Sequence, residues 1–406
     1  LSKCKEINMN VQNVKMSLLL LTVAILSGTL TTGALAGQGK VSREGAITVY
    51  TESDQARNAA STIDFRGAKP MPMPTPATLP PIEPCFDDGI DVQSVGTPGF
   101  EPGRRGNGDM SLRQVLPASE RVAEDGSLGE AGGVTPQEYG TSELPFTTSR
   151  VDLVENYPSA FYPYSAAGKI YFKDGTGTFV CSGSLVKRGV VVTAAHCVAD
   201  FGKQKYYSNW TFIPAMSGAV KPYGQWTVSK AYVMTSYFKG TDSCSAAGIV
   251  CKNDVAILLL NPQSGAYPGT STGWFGYGYG GYGFTPGKKI LINQLGYPQS
   301  HDSGLLMQRT DAQGFVSKAN SNNTMWPGRQ TGGSSGGPEL VNLGIPATLD
   351  SSTYFGTAPD PNIVIGVTSW GYTDPAQKIQ GASPFTAKNV HAMVTKACNA
   401  AAAACQ

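Results

Sequence analysis

From Val151 onward the chain is broken into short β-branched and aromatic runs separated by glycine, proline and polar turn residues. They are Lys169–Phe172, Val190–Ala194, Gln225–Met234, Asp254–Leu260, Lys289–Leu295, Leu305–Ala312 and Asn362–Trp370. Runs of this length read as strands, and strands that follow one another without intervening helices do not build a parallel α/β sheet. The expected class is therefore all-β, a sandwich or barrel. One helix is expected, at the end, with Ser383 as N-cap and Pro384 at the first position. Phe385, Val390, Met393, Val394 and Ala397 are spaced there for a single apolar face.

The first 150 residues read differently. Lys3, Lys5 and Lys15 precede the apolar run Leu18–Leu26, which ends in the small residues Gly33-Ala34-Leu35-Ala36. Residues 1–36 are thus expected to be a secretory signal peptide, removed after Ala36. The run is too short for a membrane span, which needs roughly 20 apolar residues. Residues 37–150 lack sustained periodicity and are rich in proline and glycine, so they read as a prosegment or linker. Short apolar stretches such as Ala46–Tyr50 are able to fold against a partner. Charged residues are only 15% of the chain and the net charge is +2, so there is no electrostatic footprint for nucleic acid.

Export places the cysteines in an oxidising compartment. Cys4 leaves with the signal, and Cys85 lies in a proline-rich tract. Six more cysteines follow, which permit about 15 connectivities. The favoured pairs are Cys181–Cys197, Cys244–Cys251 and Cys398–Cys405. The tract Gly273–Phe284 alternates glycine with aromatic residues; its two readings are an adhesive or sugar-binding surface and a connection whose rings pack on the core, the second being favoured.

Three segments carry chemistry. In Gly189–Cys197 an apolar strand runs into Thr193-Ala194-Ala195 and then His196, where small neighbours leave an imidazole room to turn, as a general base requires. Asn253-Asp254 places a carboxylate at the mouth of the apolar run Val255–Leu260. Thr331-Gly332-Gly333-Ser334-Ser335-Gly336-Gly337-Pro338 is a loop whose glycines allow positive φ and convergent amides. Taken alone, each has a plain structural reading: a tolerated polar residue, a turn cap, a flexible loop.

In the order His, Asp, Ser these segments resemble the chymotrypsin-like serine proteases. Thr-Ala-Ala-His-Cys matches residue for residue, Asp254-Val-Ala-Ile-Leu is similar to the Asp-Ile-Ala-Leu-Leu pattern, and the serine stands directly before Gly-Gly-Pro. Val367-Thr368-Ser369-Trp370-Gly371 resembles the strand on which a peptide substrate lies. Thr-Gly-Gly-x-Ser-Gly and Gly296-Tyr297-Pro298 look closest to bacterial glutamyl-endopeptidase-like, or V8-like, members.

The resemblance covers about Val151 to Cys398 and implies two antiparallel β-barrels, residues 151–265 and 266–406, with a C-terminal helix. It implies a triad of His196, Asp254 and Ser335, an oxyanion hole from the amides of Gly333 and Ser335, and substrate contacts at Ser369, Trp370 and Gly371. Cys181–Cys197 would tie the histidine loop to its strand. The implied partners are a polypeptide substrate and, before maturation, the protein's own prosegment. A monomer is expected, without cofactor, metal or membrane attachment once the signal is gone.

The pattern breaks in two places. The residue before the nucleophile is Ser334 rather than the aspartate of trypsins, so their activation switch does not apply unchanged; Arg150–Val151 is the expected maturation cut. Counting back six from Ser335 puts Arg329 where trypsins carry a pocket-base aspartate, which would suit acidic side chains. His301 and His391 have no metal-ligand spacing, and no His-Glu-x-x-His is present. The rivals are an inactive protease-like binding or adhesion protein and an α/β-hydrolase esterase, the latter at odds with the chain order.

Overall fold

The computed structural model describes residues 39–53, 63, 65, 67–72, 98–110, 114–115, 144–152, 157–246, 248–285, 288–344, 360–372 and 376–406. The signal-like segment, Cys4 and Cys85 lie outside them.

Two closed six-stranded antiparallel barrels follow each other along the chain. The first is formed by Ala167–Asp174, Gly177–Lys187, Val190–Thr193, Ser208–Pro214, Trp226–Met234 and Ala256–Leu260, the last strand closing on the fifth. The second is formed by Lys289–Gly296, Gln308–Ser317, Asn323–Pro327, Pro338–Val341, Ile363–Gly371 and Ile379–Ala382. This is the chymotrypsin-like all-β fold. Ala256–Leu260 and Val190–Thr193 are buried along their whole length, which explains their unbroken apolar sequence.

Between the barrels, the glycine and aromatic tract is a connection with its rings turned inward. Trp274, Phe275, Tyr277 and Tyr282 are buried. Gly276–Tyr279 pairs in parallel with Ile363–Val364. A Cβ on Gly276 would stand 2.4 Å from Ile363 Cδ1, so only glycine permits this approach.

The segment ahead of Val151 is not irregular throughout, as the sequence suggested. Lys40–Glu44 and Ile47–Thr51 form a hairpin whose second strand pairs with Lys230–Met234. Lys69–Pro70 pairs with the first barrel, Gly99–Glu101 and Phe146–Arg150 with the second sheet. Ile47–Thr51 is the apolar stretch noted at Ala46–Tyr50; the other strands carry no sequence signal because each is short and pairs only with distant partners. Arg150 pairs with Gln308 in register, Val151 donates its amide to Met307 O, and Val151 is buried. The expected cut at Arg150–Val151 therefore falls within an embedded strand end, not in an accessible loop.

The C-terminal helix also differs from expectation. A π-helical turn, Ala387–His391, leads into the α-helix Ala392–Ala400, and the cap is Thr386, which exchanges bonds with Asn389 in a capping box. Ser383 lies three residues ahead of that cap, its hydroxyl donating to Cys251 O at 2.6 Å and accepting from Asp254 N at 3.1 Å. Val390, Met393, Val394 and Ala397 bury one face against the first barrel. Cys398 is joined to Cys405.

Candidate active site

His196 sits on a buried helical turn, Ala195–Cys197, directly after Val190–Thr193. Cys197 is bonded to Cys181 on the neighbouring strand, and the Trp210 indole N–H donates to Cys197 O at 3.2 Å. The turn is thus held at both ends of its last residue. Asp254 follows the hairpin Cys244–Ala246 and Ile249–Cys251, which is closed by the Cys244–Cys251 disulfide. Asp242 holds the next turn, accepting from Asn253 N at 2.8 Å and Asn253 Nδ2 at 2.6 Å.

These two elements bring imidazole and carboxylate together. Asp254 Oδ1 accepts from the His196 backbone N–H at 2.8 Å, and Oδ2 lies 2.8 Å from His196 Nδ1. Ser369 adds its hydroxyl to Oδ2 at 2.6 Å. Burial alone would raise the Asp254 pKa, but the charge of His196 and these bonds outweigh it and hold the carboxyl below its ordinary range. An ionised carboxylate only accepts, so Nδ1 carries the proton and Nε2 is left with its lone pair free for chemistry.

The glycine loop is stitched to both barrels. Ser182 N donates to Ser335 O at 2.7 Å, and Gly336 N donates to Thr368 O at 2.8 Å. Gly336 has φ +79°, and a Cβ there would stand 2.0 Å from Thr193 Oγ1 and 2.9 Å from Ala194 N. The loop therefore lies against the residues that lead into His196. Ser334, Gly336 and Gly337 donate their amides within the protein, whereas the Gly333 and Ser335 amides meet no backbone acceptor among the described residues. Ser335 Oγ and His196 Nε2 are both buried and without a hydrogen-bond partner, so the hydroxyl-to-imidazole bond is not made in this structure.

Several supporting residues were not legible beforehand. The Ser182 hydroxyl donates to Gly333 O at 2.8 Å and accepts from Tyr297 N at 3.0 Å, fixing the turn that carries the Gly333 amide. Ser383 Oγ accepts from Asp254 N at 3.1 Å, bracing the carboxylate from behind. Neither has a sequence signal, because each acts across more than a hundred residues of chain.

The expected substrate-contacting residues Ser369, Trp370 and Gly371 end the strand Ile363–Gly371. Ser369 gives its hydroxyl to Asp254 rather than to a pocket. Trp370 is fully buried, its indole N–H donating to Asn323 Oδ1 at 2.7 Å. From Thr368 to Gly371 the strand pairs with Ile379–Ala382 along one edge and with no described strand along the other. Arg329 is exposed, and the buried side chain is its neighbour Gln330.

His391 Nδ1 meets the Tyr277 hydroxyl at 3.0 Å, and His301 Nδ1 meets Ser300 Oγ at 2.8 Å. Among the described residues two groups have metal-ligand proximity, Cys181 with His196 and Cys197, and Asp242 with Cys244 and Cys251. In both the cysteine sulfurs are joined as disulfides and have no thiolate to offer.

The "Extracellular metalloprotease" of Bacillus subtilis (strain 168) is 30% identical over 120 residues, 29% of this chain and 34% of that protein. The chain thus spans about a third of that relative's length. Among solved structures, the thermostable serine protease AL20 from an extremophilic microorganism is 20% identical, with 58% of this chain and 96% of that chain covered and a TM-score of 0.44. Protease Anisep from Arthrobacter nicotinovorans is 23% identical, covering 59% and 95%, with a TM-score of 0.44. A Glu endopeptidase is 19% identical, covering 65% and 99%, with a TM-score of 0.43. The family model Trypsin matches residues 154–391, which take in both barrels, the imidazole–carboxylate pair and the glycine loop. With that match running through more than half of it, the chain belongs to the trypsin family of serine-type peptidases.

Proposed function

We propose that this chain is a secreted serine endopeptidase that works through an acyl-enzyme. Ser335 Oγ attacks the scissile carbonyl while His196 Nε2 takes its proton, and the same nitrogen then protonates the departing amine. Water repeats the sequence on the ester and releases the acid. Asp254 holds the Nδ1–H tautomer and stabilises the imidazolium formed in each half-reaction. The amides of Gly333 and Ser335 receive the oxyanion, each worth about 2.7–4 kcal/mol. The substrate adds as an extended strand along the open edge at Ser369–Gly371.

One observation carries this reading: a buried carboxylate takes both the backbone N–H and the Nδ1–H of His196, leaving Nε2 unpaired beside the loop of Ser335. Disulfides at all three described cysteine pairs support export with residues 1–36 as the signal. Residues after the signal act as a prosegment that is cut during maturation. A fluorophosphonate probe on the matured protein is expected to label Ser335 and no residue in Ser335→Ala, with peptide hydrolysis lost in step. A folded, matured protein that takes no label would refute the proposal.

A further inference from the structure

We infer that Lys69–Met71 is a tethered obstruction to the substrate, an extended strand of the chain's own N-terminal part seated on the Phe179–Val180 edge beside the Ser335 loop. The inference rests on the protease reading above and names how that site is kept closed.

The strand Gly177–Lys187 passes directly behind the glycine loop. Its Ser182 bonds Ser335 O and Gly333 O. Two residues earlier, on the same strand, Lys69 and Pro70 pair in parallel with Phe179 and Val180, and Met71 N donates to Val180 O at 2.9 Å. The segment also reaches the loop itself. A Cβ on Gly332 would stand 3.3 Å from Met71 O and 3.4 Å from Pro70 Cβ, so Pro70 and Met71 lie beside the residue preceding Gly333. An extended polypeptide thus already takes the main-chain bond that Val180 offers, on the strand that also holds the Ser335 loop. In the same structure Ser335 Oγ and His196 Nε2 are both shut away from solvent.

The segment is anchored from upstream. Ile63 is buried in the main apolar core. Phe65 meets Tyr171 edge to face with centroids 4.8 Å apart, and the Lys221 ammonium stands 3.7 Å over the Phe65 ring. A two-residue pairing of this kind is weak by itself. It is effective only because the tether keeps its local concentration in the millimolar range, and that advantage is lost by dilution once the segment is cut free.

The test uses the intact chain. Met71→Pro removes the one amide donated to Val180 O, and Phe65→Ala removes the anchor; neither residue belongs to the catalytic machinery. The measurement is the second-order rate of Ser335 labelling by a fluorophosphonate, with mass spectrometry confirming an uncut chain and calorimetry confirming the fold. Labelling at least 10-fold faster in both variants than in the uncut parent supports the inference. Equal rates in parent and variants overturn it while leaving the protease reading standing. No labelling in any form, including after limited proteolysis, overturns the protease reading and the inference with it.

Discussion

At the residue scale the chemistry depends on how few protons are free to move. Asp254 accepts from His196 N, His196 Nδ1 and Ser369 Oγ, so neutralising it deprives the ring of the partner that sets its tautomer. Asp254→Asn is expected to lower kcat by about 10⁴ with KM nearly unchanged, measured by steady-state peptide hydrolysis. Ser182→Ala should lower kcat by roughly 10-fold, again without a matching rise in KM, because it frees the Gly333 carbonyl rather than any substrate contact. Ser182→Thr should recover part of the loss; an equal loss in both variants would show that the hydroxyl is not what holds the turn. His196, Asp254 and Ser335 were legible because each is announced by its immediate neighbours. Ser182 and Ser383 were not, since a serine's hydrogen-bond partner is set by tertiary contact alone.

At the element scale, strands were easier to read than their boundaries and caps. Val190–Thr193 and Ala256–Leu260 declare themselves through continuous apolar sequence, whereas Ile47–Thr51 acquires its meaning only from Lys230–Met234, far along the chain. The terminal helix was found from its apolar spacing, but Ser383-Pro384 imitated a cap whose hydroxyl was already engaged beneath Asp254. Thr386 does the capping, and Thr386→Ala should cost about 1 kcal/mol in denaturant unfolding, against little change for an exposed threonine. Opening the Cys181–Cys197 bridge by a double serine substitution should remove roughly 3 kcal/mol and slow hydrolysis as the His196 turn loosens, read from the same titration and from kcat.

At the scale of the whole molecule, Glu339 lies in the interior of the second barrel. Burial drives the Glu339 pKa well above its ordinary 4.5, and the Thr368 hydroxyl only partly opposes this. The folded chain therefore keeps a proton that the unfolded chain gives up, so this stability is full below about pH 4.5 and declines as pH rises. Glu339→Gln is expected to match the parent near pH 4 and to raise Tm by about 3–6 °C at pH 8 in calorimetry. The same offset at both pH values would rule out a protonated carboxyl.

The two barrels were readable from the succession of strands together with the family resemblance, but the weaving of the N-terminal part into both was not. On the proposed obstruction by Lys69–Met71, that weaving would govern how the molecule is switched on. Ile47–Thr51 upstream of Lys69–Met71 and Gly99–Glu101 downstream are each built into a sheet, so one nick leaves the blocking strand leashed from the other side. Two nicks are needed to set it adrift, and the onset of peptide hydrolysis during processing should show a lag followed by acceleration instead of a simple exponential rise. The fold thereby works as a double lock that ignores a single accidental scission.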